Sequence, residues 1–457
     1  MMRGATPPVL TPEMPVGAKE RNRVPFTVID EAIHVLDTAA EPWSIQFELG
    51  VEGRLDEERL RAATHEALSR HPMALARLLP ARRTDRTWQW EITSGPDVDP
   101  VRMAAWEDGD ALGALRAEFY SLPVPLAESP PLRLRLARGP DHDLLMLNVN
   151  HAAFDGFGCL RFLHSVARAY TGVDDPSPPV SLEEARDVLR LLEAGDPTTR
   201  LRRLRAIAHK VTDVLRRPEP PAPDGGRDLP GYGFCHLALG EAETKRLDAP
   251  AQEAKDATVN DRLVAALHLT IDAWNAEHGE RSGRIGTLVP VNLRPKEWRQ
   301  DVVTNLVLDA RVATAATDRS SPEAALRAVV AESARIKEGG GAALVEVLGG
   351  SASLPLWAKQ SLSPLLWVTG NRLVDSAILS NLGQLDEPPS FGQEAGATRE
   401  VWFSAPCRRP CAMSVGVTTV GGRLHLAFRY RHPVFGRTGA RRFVRIYLSK
   451  LEAVAGP

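Results

Sequence analysis

The residues best placed to do chemistry lie in one short stretch, Asn150-His151-Ala152-Ala153-Phe154-Asp155-Gly156. A histidine, a carboxylate four positions on and a glycine make up a minimal set for proton transfer beside a tight backbone turn. Neutral imidazole is the side chain suited to accept a proton near pH 7. The pattern alone is short, arising by chance in roughly one chain in twenty of this length. It has a second reading too, with Asp155 as the cap of a helix that starts near Gly156.

The flanking residues say what must hold it. Leu145, Leu147 and Val149 alternate as in a strand, and Leu160, Leu163, Ala167 and Tyr170 recur as on one side of a helix. His151 therefore falls between a strand end and a helix start, where rigid elements fix the backbone and the side chain projects into a cleft.

The chain has 457 residues, which suits two domains of roughly 200 residues each. Hydrophobic residues make up 43% and charged residues 25%, the balance of a globular protein. A net charge of −2 gives no electrostatic case for nucleic acid or an anionic membrane as partner. No apolar run approaches the roughly 18 to 20 residues of a membrane span. Met1 to Arg23, with Pro7, Pro8, Pro12 and Pro15, lacks the apolar stretch of a signal peptide and reads as a mobile tail of a cytoplasmic protein. Cys159, Cys235, Cys407 and Cys411 lack the spacing of a zinc site and read as buried free thiols, so no metal is expected.

Residues 24–180 read as a first lobe, with strands at Trp43–Leu49, Trp88–Ile92 and Leu132–Leu136 and a helix at Leu55–Leu68. Residues 181–230 read as a charged helical insert followed by a proline- and glycine-rich linker. Its Arg200, Arg202, Arg203 and Arg205 form either a docking patch for an acidic partner or a solvated face. Residues 231–457 read as a second lobe. There Thr258 and Asp261 have capping-box spacing ahead of a helix carrying Leu263, Leu267, Ile271 and Trp274. Strand Thr287–Val291 runs into Asn292-Leu293-Arg294-Pro295, and Gly339–Gly341 marks a flexible loop. Ile378-Leu379 leads into a strand-end turn, Ser380-Asn381-Leu382-Gly383, and Gly421-Gly422 joins a hairpin. A last helix runs through Thr438–Ala453, and His432 before Pro433 reads as a turn residue.

Taken in order, these landmarks resemble the chloramphenicol-acetyltransferase-like superfamily, which includes nonribosomal peptide condensation domains, polyketide-associated acyltransferases and wax ester synthases. Asn150 to Gly156 is similar to its His-His-x-x-x-Asp-Gly hallmark. Ala257 to Asp261 with Val264 to Ala266, Val289 to Pro295, and Ser380 to Gly383 are similar to three further motifs, and Arg70-His71-Pro72 with Arg77 to a first-helix ending. The resemblance covers about Val24 to Ala453. Asn150 stands where the family's first histidine would be. The plant branch's Asp-Phe-Gly-Trp-Gly and the wax ester synthase Ser-Asn-Val-Pro-Gly are absent, which leans the resemblance towards the condensation and polyketide-associated branches.

The resemblance implies an α+β (mixed α/β) fold of two lobes, each a mixed sheet flanked by helices, with the active site in a channel between them. It implies a free-standing acyltransferase of specialised metabolism, moving an acyl group from a thioester to a hydroxyl or amine. In it His151 is the general base, and Asp155 holds the motif by pairing with an arginine, for which Arg294 is the candidate. Gly156 offers an N–H to the oxyanion, and Asn381 and Gly383 line the channel. No tightly bound cofactor is implied: acyl-CoA or a phosphopantetheinyl acyl or peptidyl carrier protein is the co-substrate. A wax ester or diacylglycerol synthase-like lipid acyltransferase and a non-catalytic carrier-docking module are the competing readings.

Overall fold

The structure, a computed structural model, describes residues 22–193, 218–224, 231–249, 256–298, 301–336, 354–361, 375–409, 411–432 and 434–456. The N-terminal tail up to residue 21, the arginines at 200–205 and the glycines at 339–341 lie outside the described residues.

In chain order the first strands are β1 (Arg23–Pro25), β2 (Ser44–Val51), β3 (Ala76–Leu78), β4 (Gln89–Ile92), β5 (Val101–Ala105), β6 (Leu132–Arg138) and β7 (Asp143–Asn150). Then come β8 (Tyr232–Leu239), β9 (Ile285–Asn292), β10 (Val307–Thr314), β11 (Ala377–Leu385), β12 (Thr398–Ser404), β13 (Met413–Val420) and β14 (Arg423–Arg431). The longer helices are α1 (Val28–Leu36), α2 (Glu57–Arg70), α3 (Gly109–Ser121), α4 (Gly156–Thr171), α5 (Val259–Glu277), α6 (Pro322–Arg335) and α7 (Arg437–Ala455).

Two mixed sheets organise two lobes. The first has the order β12-β2-β7-β6-β5 and the second β10-β9-β11-β13-β14-β8, with a small third sheet, β1-β4-β3, beside the first. Strand β7 is buried on both faces. Leu145, Leu147 and Val149 join the first core, while Leu144 and Met146 pack under α3 with Phe119 and Tyr120. In the second lobe Leu263, Leu267, Ile271 and Trp274 of α5 pack with Phe443 and Tyr447 of α7. The helix starts with the capping box that its spacing suggests, Thr258 and Asp261 each accepting the other's backbone N–H.

A division of the chain at residue 231 does not describe the sheets. Strand β12, from the second half, pairs antiparallel with β2 of the first lobe, Phe403 opposite Phe47. The physical reason is its apolar face: Val401 and Phe403 belong to the first core. Between the lobes lies a polar seam. Arg429 of β14 donates to the Ser44 carbonyl (2.9 Å) and to Gln46 Oε1 (3.1 Å), and Ser404 of β12 bonds the same Gln46 oxygen.

Among the buried histidines, His71 and His268 are hydrogen-bonded as neutral structural groups. His71 bonds Ser165 Oγ (2.7 Å), and His268 bridges Thr314 and Thr287 (2.9 and 3.0 Å). Burial pulls each down to about 3 from 6.5. Between those values the unfolded chain takes up protons that the folded one refuses, so stability present above pH 6.5 is lost as pH falls towards 3. The expected loss is about 1.4 kcal/mol per histidine per pH unit. Thermal unfolding compared at about pH 7.5 and 5 checks it, and a flat profile contradicts it.

Candidate active site

Strand β7 delivers its last residue, Asn150, to a turn that ends where α4 begins, and His151 is the first residue of that turn. The main chain of His151 is pinned on both sides. Its N–H donates to the Trp43 carbonyl at the start of β2 (3.0 Å), and its carbonyl accepts from Asn305 Nδ2 (2.7 Å). The ring is pinned through one nitrogen: Nδ1 lies 2.9 Å from the Phe154 carbonyl. A carbonyl only accepts, and at 2.9 Å it outweighs the Asn305 amide 3.4 Å from the same nitrogen, so Nδ1 carries the proton and Nε2 keeps its lone pair. The half-buried ring lines a cavity of about 420 Å³, and among the described residues no hydrogen bond engages Nε2. Burial lowers the imidazole below the ordinary histidine value, against the opposing charge of Asp155 and the Phe154 hydrogen bond, and so favours the neutral ring.

Asp155 has no oxygen to spare for the imidazole. Oδ1 accepts from Gly158 N–H (2.8 Å), capping α4, and Oδ2 accepts from Leu306 N–H (2.7 Å) and Arg294 Nη1 (2.5 Å). Both side chains of the Asp155–Arg294 pair are 0% exposed. Arg294, just past β9, also reaches the carbonyls of Val302 (3.2 Å) and Thr304 (2.8 Å) and Asn292 Oδ1 (3.3 Å). The cap and the ion pair are thus the same carboxylate, and the two readings of Asp155 coexist.

Gly156 opens α4 at the cavity wall. A Cβ there would stand 2.9 Å from Leu382 Cδ2, so a larger residue would make that side-chain end on β11 shift. Asn381 lines the same cavity, but Ser380 to Gly383 do not form a strand-end turn. They sit inside β11, whose pairing with β13 slips between Asn381 and Gln384. Gly383, at φ +77°, donates its N–H to Asn381 Oδ1 (2.8 Å) and is not among the cavity-lining residues. Its place is the irregularity that aims Asn381, not the channel wall. Asn150 faces away from the cavity, donating to Asp37 Oδ2 (2.8 Å) and the Val124 carbonyl (3.0 Å) and accepting from Ala152 N–H (3.1 Å).

Two contributors lie outside the motifs. Asn305, fully buried, holds His151 from the segment between Arg294 and β10. Helix α1 supplies much of the apolar wall through Ile29, Ala32, Ile33 and Leu36. Its signal was available, since Thr27 and Asp30 form a capping box ahead of that stripe. His432 bonds the Phe435 carbonyl (3.1 Å) and does not line the cavity.

Of the cysteines, Cys159, Cys407 and Cys411 are buried and Cys235 is partly exposed. Among the described residues no group of three or more His, Cys, Asp or Glu side chains could hold a metal ion. No helix among them is long and apolar enough to cross a membrane.

No protein-family model matches the chain. Over 431 residues it is 36% identical to the uncharacterized protein Rv2305 of Mycobacterium tuberculosis (strain ATCC 25618 / H37Rv), across 93% of this chain and 98% of that one. Among solved structures it is similar to the first condensation domain of the calcium-dependent antibiotic synthetase, with a TM-score of 0.69 at 16% identity, covering 95% of this chain and 97% of that one. It is similar as well to the epimerization domain from the third module of tyrocidine synthetase B, with a TM-score of 0.65 at 15% identity, covering 95% and 96%. The cyclization-docking bidomain of EpoB from Sorangium cellulosum gives a TM-score of 0.64 at 17% identity, covering 97% and 86%. At these identities the likeness to the solved structures is one of fold.

Proposed function

Since the chain belongs to the family of the mycobacterial protein Rv2305 and, by fold, to the chloramphenicol-acetyltransferase-like superfamily, we propose that it is an acyltransferase using His151 as general base. The observation that carries this reading is the state of the imidazole. Nδ1 is occupied by the Phe154 carbonyl, burial favours the neutral ring, and Nε2, with no hydrogen bond among the described residues, belongs to a ring lining a cavity whose wall is largely apolar.

The donor is a thioester, either acyl-CoA or an acyl group on a phosphopantetheinyl carrier protein. Thioesters are already activated, so the task left to the protein is to align two substrates and handle one proton. The acceptor's hydroxyl or amine attacks the thioester carbonyl as Nε2 of His151 takes its proton. The tetrahedral oxyanion forms near Gly156, at the positive end of the α4 dipole. Collapse breaks the carbon–sulfur bond, and the departing thiolate recovers the proton from the imidazolium. The products are an ester or amide and a free thiol, and the base is regenerated. Asp155 takes no proton in this scheme, because both its oxygens already serve Gly158, Leu306 and Arg294.

Thiol release across a panel of acyl-CoA and carrier-bound thioesters, with hydroxyl and amine acceptors, tests the proposal. The rate is expected to rise with pH through a single acidic limb lying below the ordinary histidine value of 6.5, and to be flat at neutral pH. Absence of acceptor-dependent thiol release across the panel overturns acyl transfer. Release without that limb overturns the assignment of His151.

A further inference from the structure

We infer that α1 is the ruler for the acyl chain, with Ala32 setting the depth of the arm that receives it; the inference rests on the acyl-transfer reading above. Ile29, Ala32, Ile33 and Leu36 follow the i, i+3, i+4, i+7 spacing of one helix face, and all four line the cavity that holds His151. Ala32 is the small residue in that stripe, a dent between branched neighbours. This face of the cavity suits an alkyl chain, while the charged lining residues, Asp155, Arg294, Lys296 and Asp309, lie on other elements.

What makes α1 a ruler and not a yielding wall is how it is held from behind. Asp30 is buried against Arg186 (2.5 Å) and accepts from Trp90 Nε1 (3.0 Å). Glu31, beside it, is paired with Lys359 (2.7 Å) and accepts from Thr87 Oγ1 (2.9 Å). These partners come from three parts of the chain remote from α1, so the helix is clamped against the protein across its outer face. Its ends are tied as well. Thr27 closes the capping box, and Arg408 Nη1 donates to the Leu36 carbonyl (2.9 Å). A larger side chain grown from Ala32 therefore goes into the cavity and does not push the helix back.

The clamp also reaches the base. Asp37, just after α1, accepts from the Trp43 N–H and from Asn150 Nδ2 (both 2.8 Å). Trp43 in turn holds the His151 N–H, and Asn150 precedes His151 directly. Chain depth along α1 is thereby measured from a fixed origin at the imidazole.

The probes are S-dodecyl- and S-ethyl-pantetheine, non-transferable thioethers carrying the arm that CoA and carrier donors share. Binding of both is measured to the full chain and to its Ala32→Phe and Ile33→Ala variants. Each methylene kept out of the arm weakens binding about fourfold. Ala32→Phe, displacing about three methylenes, is expected to lower the dodecyl-over-ethyl affinity ratio roughly fiftyfold. Ile33→Ala is expected to move the ratio the other way or to carry the preference to chains longer than dodecyl. Partial unfolding scales both affinities together and leaves their ratio unmoved. Equal binding of the two probes to the native protein, or a ratio within about twofold in both variants, overturns the ruler. Acyl transfer is read separately by thiol release, so its failure with an intact binding ratio strikes the reaction and not the ruler.

Discussion

Replacing His151 with alanine lowers the rate of acyl transfer by about 10²–10⁴-fold, the usual contribution of a positioned general base, while the protein still folds. The two effects separate because of how the turn is built. Its anchors at position 151 are main-chain groups, the N–H on Trp43 and the carbonyl under Asn305, and alanine keeps both. The substitution deletes the hydrogen bond from Nδ1 to the Phe154 carbonyl, worth about 1 kcal/mol in a half-buried ring, and the longer contact of Nδ1 with the Asn305 amide. Thiol release measured beside thermal unfolding checks this. A variant that transfers at the native rate removes His151 from the chemistry, and one that fails to fold makes it a structural residue.

Arg294→Ala is expected to act in the opposite proportion, costing about 3–5 kcal/mol of stability as well as activity. Removing the guanidinium leaves the Asp155 carboxylate buried without its counter-charge and frees the Val302 and Thr304 carbonyls. Lysine is a poor substitute, since an ammonium cannot present the planar fork that reaches four acceptors here. Combining Arg294→Met with Asp155→Asn removes both charges and is expected to cost clearly less than the sum of the single changes. Denaturant unfolding of Arg294→Ala, of Arg294→Met and Asp155→Asn singly, and of the double variant checks both predictions. Strict additivity contradicts a coupled pair.

The strand–turn–helix around His151 was legible because it rests on periodicity and on short local signals, and the fold class and two lobes through the family resemblance that the ordered motifs carry. What was not legible has two physical origins. Long-range pairing leaves little local trace: nothing in Thr398–Ser404 tells that this strand crosses to β2. The Ser380-Asn381-Leu382-Gly383 segment shows the other origin. A glycine with positive φ suits both a strand-end turn and a bulge within a strand, and only the β13 partner decides between them. Asn305 is harder still, since a buried amide that holds a main-chain carbonyl needs no particular spacing from the histidine it serves. Helix α1 lies between these cases: Thr27, Asp30 and the Ile29, Ile33, Leu36 stripe mark it, but nothing local marks it as the cavity wall.

Strand β12 sets a timetable for biosynthesis. The edge of β2 is made early, yet its partner is not available until residue 404 has left the ribosome. At roughly 5–20 residues per second the nascent chain carries that open edge for tens of seconds. Bare strand edges are templates for pairing with the wrong chain. Production of this protein is therefore exposed to mispairing at that edge during translation, and a truncated chain stopped before Thr398 retains that liability for good.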